Sequence, residues 1–143
     1  FGAEVVIDPN AESVEDAVLE WTDGRRADVC LATVGIPEVV QSSIKLVGER
    51  GRVVLFGGGG AGQTIPIDAN WIHYNEISLI GSEWIGVGGM EEKDLYRIAT
   101  EWISDGKVPV NKLISHRFSL EDIHDAYEKI MAGGTLKVIL VMD

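Results

Sequence analysis

One cysteine among 143 residues, Cys30, excludes an internal disulfide framework and a cysteine-based structural zinc site built within the chain alone. Its setting, the apolar run ADVCLATVG, reads as that of a buried and inert thiol. Basic residues are also scarce: twelve Lys and Arg stand against 23 Asp and Glu, for a net charge of −11, and they form no cluster. Binding to a nucleic acid rests on neutralising phosphates with grouped Lys and Arg, so no nucleic-acid partner is expected. No uncharged apolar stretch reaches the roughly eighteen residues needed to cross a bilayer, and no secretory pattern opens the chain, so no membrane partner is expected and the default location is cytoplasmic.

What is present is the composition of a globular protein, 45% hydrophobic and 24% charged. The length suits one domain, or one and a fraction. The opening FGAEVVID lacks an initiating Met and starts almost directly in a strand-like run, which reads as a chain entered partway through.

Glu4 to Ile7 is a short β-branched run closed by Asp8-Pro9-Asn10, the pattern of a strand ending in a turn. Ser13 to Asp23 carries Val14, Ala17, Val18 and Trp21 at the spacing of a one-faced helix, capped by Ser13 and ended by Gly24. Ala27 to Val34 is a second strand-like run. Pro37 then sits in the first turn of a helix predicted to reach about Val47, and Gly51 to Phe56 and Glu76 to Gly81 are further strands. Strands that are apolar along their length and alternate with helices predict a parallel sheet covered on both faces, the α/β class. Beyond Trp84 the rhythm changes. A helix over Met90 to Asp105 with Leu95, Ile98, Ala99 and Trp102 on one face ends at Gly106, and Leu113 to Phe118 can pair as a strand. Ser119-Leu120-Glu121-Asp122 supplies a cap to a helix with Ile123, Ala126, Tyr127 and Ile130 on its buried stripe, stopped by Gly133-Gly134, and Leu136 to Met142 closes as a strand.

The run Gly57 to Gly62 satisfies G-x-G-x-x-G and follows a strand, which invites a phosphate-binding role. That role needs the last glycine to open a helix aimed at the pyrophosphate, whereas Gln63-Thr64-Ile65-Pro66 favours extended backbone. The second glycine cluster, Gly86 to Gly89, leads toward Glu91 and Glu92, which would repel a phosphate, and it reads as a hinge or turn. His73, His116 and His124 are scattered without ligand spacing. A Tyr-x-x-x-Lys pair and a G-x-S-x-G elbow are both absent. Residue patterns alone therefore end at a parallel α/β domain with a ligand at its C-terminal strand ends.

The segments FGAEVVIDP, DGRRADVCLATVG, LVGERGRVVLFGG, EISLIGSEW and LISHRFSLEDIHDAYEKIMAGGTLKVILV, in that order, resemble the C-terminal part of medium-chain, zinc-type alcohol and polyol dehydrogenases. The resemblance runs nearly end to end. It implies a partial doubly wound, Rossmann-type parallel sheet of family order 3-2-1-4-5-6, in which Val5-Val6-Ile7 resembles strand three and strands one and two are missing. With those strands would go the true glycine fingerprint, the residue that selects NAD or NADP, and the ligands of the catalytic and structural zinc ions. Residues 1–84 then stand for a partial dinucleotide-binding domain and 85–143 for a C-terminal segment that returns to the catalytic domain.

The resemblance implies a nicotinamide-facing set. Thr33-Val34-Gly35 resembles the segment beside the cofactor ribose, and Phe56-Gly57 and Ser82-Glu83-Trp84 resemble the segments whose backbone holds the carboxamide. Pro9 resembles the position beside the adenine, and Lys137 the basic residue that reaches the pyrophosphate. The parent implied is an NAD- or NADP-dependent oxidoreductase in which Zn²⁺ polarises an alcohol oxygen, and this chain would position cofactor without supplying a catalytic or metal-binding residue. A zinc-free quinone oxidoreductase type and a non-catalytic binding or assembly module stand as alternatives. Loss of strands one and two would leave open strand edges, so a homo-oligomer or association with the missing N-terminal portion is expected.

Overall fold

Three of the predicted strands form, β1 (Ala27–Ala32), β2 (Val47–Leu55), which starts ahead of the expected Gly51, and β3 (Ser78–Gly81); they are parallel and hydrogen-bonded in that order. The computed structural model describes residues 1–82 and 92–142, and these fall into two compact units, Gly2–Val87 and Phe1 with Gly88–Asp143.

In the first unit the helices begin where their caps dictate. Helix α1 (Val14–Trp21) opens at Ser13, whose side chain accepts from the Asp16 N–H at 3.3 Å, and the chain leaves it through Gly24 at φ +77°, a left-handed conformation that glycine adopts without strain. Helix α2 (Pro37–Leu46) has proline at its start, where the missing N–H costs no helical bond. Helix α3 (Ala69–Tyr74), in a stretch given no element from the sequence, is nucleated by Asp68. Its Oδ1 accepts from the Trp71 N–H at 3.0 Å, and its Oδ2 pairs with Lys45 Nζ at 3.1 Å. Lys45 Nζ in turn lies 4.0 Å from the centre of the Trp71 ring. The Trp71 N–H first, and then Lys45, hold the Asp68 carboxyl below its ordinary range.

Register decides which side chains share a face. Cys30, Val53 and Leu79 align across the sheet and pack with Ala32 and Leu55 against Val40 and Ile44 of α2 and Trp71 and Ile72 of α3. Val47 and Val53 are fully buried and Ile44 nearly so. The aligned row one residue on, Leu31, Val54 and Ile80, faces the other way, and Leu31 is 59% exposed. The expectation of a sheet covered on both faces is therefore corrected for the described residues: Val29, Leu31 and Ile80 stand exposed on the face opposite Cys30, Ala32 and Val53, as in a sheet with one packed face.

A second correction concerns Glu4 to Ile7. A strand exists only as a member of a pair, and no described strand pairs with these residues; they form no ladder, and Val6 is 85% exposed.

The second unit contains α4 (Glu92–Ser104), a short α5 (Val110–Leu113) and a parallel β–α–β unit of β4 (Ile114–Ser119), α6 (Ile123–Met131) and β5 (Lys137–Val141). Its glycine stops are where the sequence places them, with Gly106, Gly133 and Gly134 all at positive φ. The cap expected from Ser119 takes another form: its hydroxyl donates to the Asp122 carboxylate at 2.8 Å, and α6 starts after Asp122 without a side-chain cap. Of the predicted buried stripe only Ala126 is buried, Ile123 is half-buried, and Tyr127 and Ile130 are exposed. On α4, Leu95 and Ile98 are half-buried, whereas Trp102 is exposed.

Candidate functional site

Three parallel strands end at one edge of the first unit, and the chain leaves β1 and β2 through glycine-containing turns. The N–H groups of Phe56 and Gly57 both donate to Ala32 O at 3.0 Å, and the Ser82 N–H donates to Leu55 O at 3.1 Å. These bonds carry the sheet pattern one step past the last residue of each strand. They also consume three donors, so what Phe56, Gly57 and Ser82 can hold toward a ligand is carbonyl oxygens and side chains rather than N–H groups.

The turns after β1 and β2 press against each other through glycine. A Cβ added to Gly57 would lie 2.5 Å from Thr33 O and Val34 Cα, and one added to Gly35 would lie 2.2 Å from the Gly58 carbonyl. Thr33, Val34, Gly35, Phe56 and Gly57, singled out from the sequence, are thus brought together. Beside them is a cavity of about 520 Å³ lined by Val40, Leu55, Phe56, Gly57, Gly58, Gly59, Ile65, Gly81 and Ser82. Its lining contains no ionisable side chain. A Cβ on Gly58 or Gly81 would meet nothing within 4 Å, so both glycines border open space. An uncharged crevice of this size suits a small, largely apolar group.

The other described positions derived from the sequence do not line the crevice. Pro9 stands in the turn before α1, closed by the Ala11 N–H donating to Asp8 O at 3.0 Å, and does not line the crevice. Lys137 opens β5 in the second unit, opposite Ile114, and is exposed. Glu83 and Trp84 lie outside the described residues, as does the Gly86 to Gly89 cluster. The glycine run from Gly57 to Gly62 does not open a helix; the next one starts at Ala69. Gln63 was not singled out from the sequence, yet its Oε1 accepts from the Gly60 N–H at 2.9 Å. The signal available was a polar side chain three residues beyond a glycine, within reach of a turn closed on itself.

Among the described residues no three His, Cys, Asp or Glu side chains group as a metal site would require, so the residues present do not fit a zinc ion. No helix among them is long and apolar enough to cross a membrane.

A parallel sheet in strand order, with helices between its strands and a crevice at their C-terminal ends, is an open, Rossmann-type α/β domain. Residues 1–105 match the family described as zinc-binding dehydrogenase, and the chain belongs to that family. It is 28% identical over 142 residues to an L-threonine 3-dehydrogenase of Pyrococcus horikoshii, covering 99% of this chain and 39% of that protein. A D-arabitol-phosphate dehydrogenase of Enterococcus avium is 26% identical over 140 residues, covering 98% of this chain and 38% of its own length. Among solved structures, a putative zinc-binding dehydrogenase of Sinorhizobium meliloti bound to NADP superposes with a TM-score of 0.82 at 26% identity, over 98% of this chain and 40% of that one. Benzyl alcohol dehydrogenase of Acinetobacter calcoaceticus shares the fold, with a TM-score of 0.83 at 23% identity, over 99% of this chain and 38% of that one. The chain thus spans about two fifths of the length of the relatives it matches.

Proposed function

We propose that this chain is the nicotinamide-facing part of an oxidoreductase that transfers hydride between an alcohol or polyol and NAD or NADP. The observation that carries the proposal is the uncharged crevice at the strand ends, where Gly35 and Gly57 bring two turns into backbone contact beside the open space at Gly58 and Gly81. When bound, the nicotinamide supplies the hydride chemistry. The chain's own part is to hold it. Carbonyl oxygens at Phe56, Gly57 and Ser82 accept from the carboxamide N–H₂, and Leu55, Phe56 and Ile65 shield the ring from water.

Pro9 beside the adenine, Thr33-Val34-Gly35 beside the ribose, Glu83-Trp84 near the carboxamide and Lys137 toward the pyrophosphate complete the proposed set. Residues 1–84 serve as partial cofactor domain and 85–143 as the segment returning to a catalytic domain. Zinc belongs to the remainder of the protein in this proposal, and no step is routed through it. The relatives named as dehydrogenases of threonine and arabitol phosphate, and the neighbour bound to NADP, support the reaction and cofactor class. The working location is the cytoplasm, and the partners are a second copy or the N-terminal portion of the same protein.

Expression of this chain alone and with its upstream coding sequence, each assayed for alcohol-dependent reduction of NAD⁺ and NADP⁺, tests the proposal. The longer protein is expected to turn over and the chain alone to show none. Turnover by the chain alone after purification to homogeneity, or none by the longer protein across simple alcohols and polyols, contradicts it.

A further inference from the structure

The glycine loop that lines the crevice is closed by a side chain with no place in the proposed contacts. Gln63 N–H donates to Gly60 O at 3.0 Å, and Gly60 N–H donates back to Gln63 Oε1 at 2.9 Å. Gly62, at φ +76°, makes the tight turn that lets the side chain fold back. The same Oε1 lies 2.9 Å from where a Cβ on Gly59 would stand, so the amide rests on the Gly59–Gly60 backbone. The same backbone also meets the β1 turn, since a Cβ on Gly35 would lie 2.3 Å from Gly59 N and one on Gly59 would lie 3.3 Å from Gly35 O. At Gly59 the Gln63 amide and the Gly35 turn meet the loop together.

We infer that Gln63 is a positioning residue, whose side-chain carbonyl pins the loop Gly57–Gly60 against the Gly35 turn and so sets the shape of the crevice that receives the nicotinamide. The inference rests on the cofactor role proposed above. Gln63→Met keeps the length of the side chain and removes the acceptor, whereas Gln63→Glu keeps an acceptor. The test uses the 143-residue chain, with amide hydrogen exchange at Gly60 and NMR-detected titration with NADH and NADPH.

Gln63→Met is expected to speed Gly60 exchange and to weaken cofactor binding about fivefold, the scale of one hydrogen bond, with Gln63→Glu near the parent in both. Unchanged exchange at Gly60 in Gln63→Met overturns the pinning. Faster exchange with unchanged affinity overturns the positioning role and leaves the cofactor proposal standing. Absence of binding by the unsubstituted chain overturns the cofactor role and the positioning role together. A Gln63→Met chain with a lowered unfolding midpoint is compared below that midpoint, where Gln63→Glu controls for general loosening.

Discussion

Gly35 meets Gly58 backbone to backbone: a Cβ on Gly35 would fall 2.2 Å from both the carbonyl carbon and the oxygen of Gly58. No flexible side chain stands there to swing aside, so an added methyl must move one turn away from the other. Gly35→Ala is expected to lower stability by about 1–3 kcal/mol, the usual penalty for forcing extra volume into a packed site. Gly58→Ala, which points into open space, should stay within about 0.5 kcal/mol. Urea unfolding midpoints of the two variants check the contrast, and equal losses contradict it.

The buried centre of the first unit depends on few side chains. Ile44 reaches from α2 into contact with the face formed by Cys30, Val53 and Leu79, and it is 2% exposed. Ile44→Ala should cost about 2–5 kcal/mol through lost burial and the cavity left behind, enough to abolish cooperative unfolding in so small a core. A denaturation curve with an unchanged midpoint would remove α2 from its place on the sheet.

Asp68 ties α3 to α2 through a charge. Its pKa is depressed on folding, by the Trp71 N–H and then by Lys45, so the stability it contributes is present above the ordinary carboxylate range and is lost as pH falls through the lowered value. Asp68→Ala is therefore expected to unfold at lower temperature than the parent at about pH 7, with the gap closing toward about pH 3. Thermal unfolding across that range is the check. A gap that stays constant with pH assigns the loss to something other than the carboxylate.

The elements legible in the sequence are those whose signals are local. Ser13 before an amphipathic run, Pro37 opening another, and Gly24, Gly106 and Gly133 past helix ends are each decided by neighbours a few residues away. Helix α3 escaped because six residues are too short to display a period, leaving the Asp68 cap as its one sign. Val5-Val6-Ile7 has strand composition, but composition cannot supply the neighbouring edge that a ladder requires. The family resemblance picked out Gly35 and Gly57 as positions near a cofactor, while the contact of Gly35 with Gly58 and of Gly57 with Thr33 and Val34 depends on two turns far apart in sequence, which no local pattern records. The grip of Gln63 on Gly60 is local, yet the same stretch also reads as extended chain.

The free edge and open face of the sheet carry the expectation of self-association. Among the described residues β1 pairs only with β2, and Val29 and Leu31 stand 39% and 59% exposed on its unpacked face. A strand edge with apolar neighbours invites a second chain. Light scattering at micromolar concentration should find a dimer or larger species, and Leu31→Lys should shift it toward monomer. A monodisperse monomer before any substitution contradicts the expectation.

The central claim is that the crevice at the strand ends receives a nicotinamide, and it is tested most directly by following backbone amide shifts of the chain during titration with NADH and NADPH. The account predicts shifts concentrated at Phe56 to Gly59, Gly81 and Ser82, saturating with one of the two cofactors or both. Shifts confined to other parts of the chain, or none at millimolar cofactor, would contradict it.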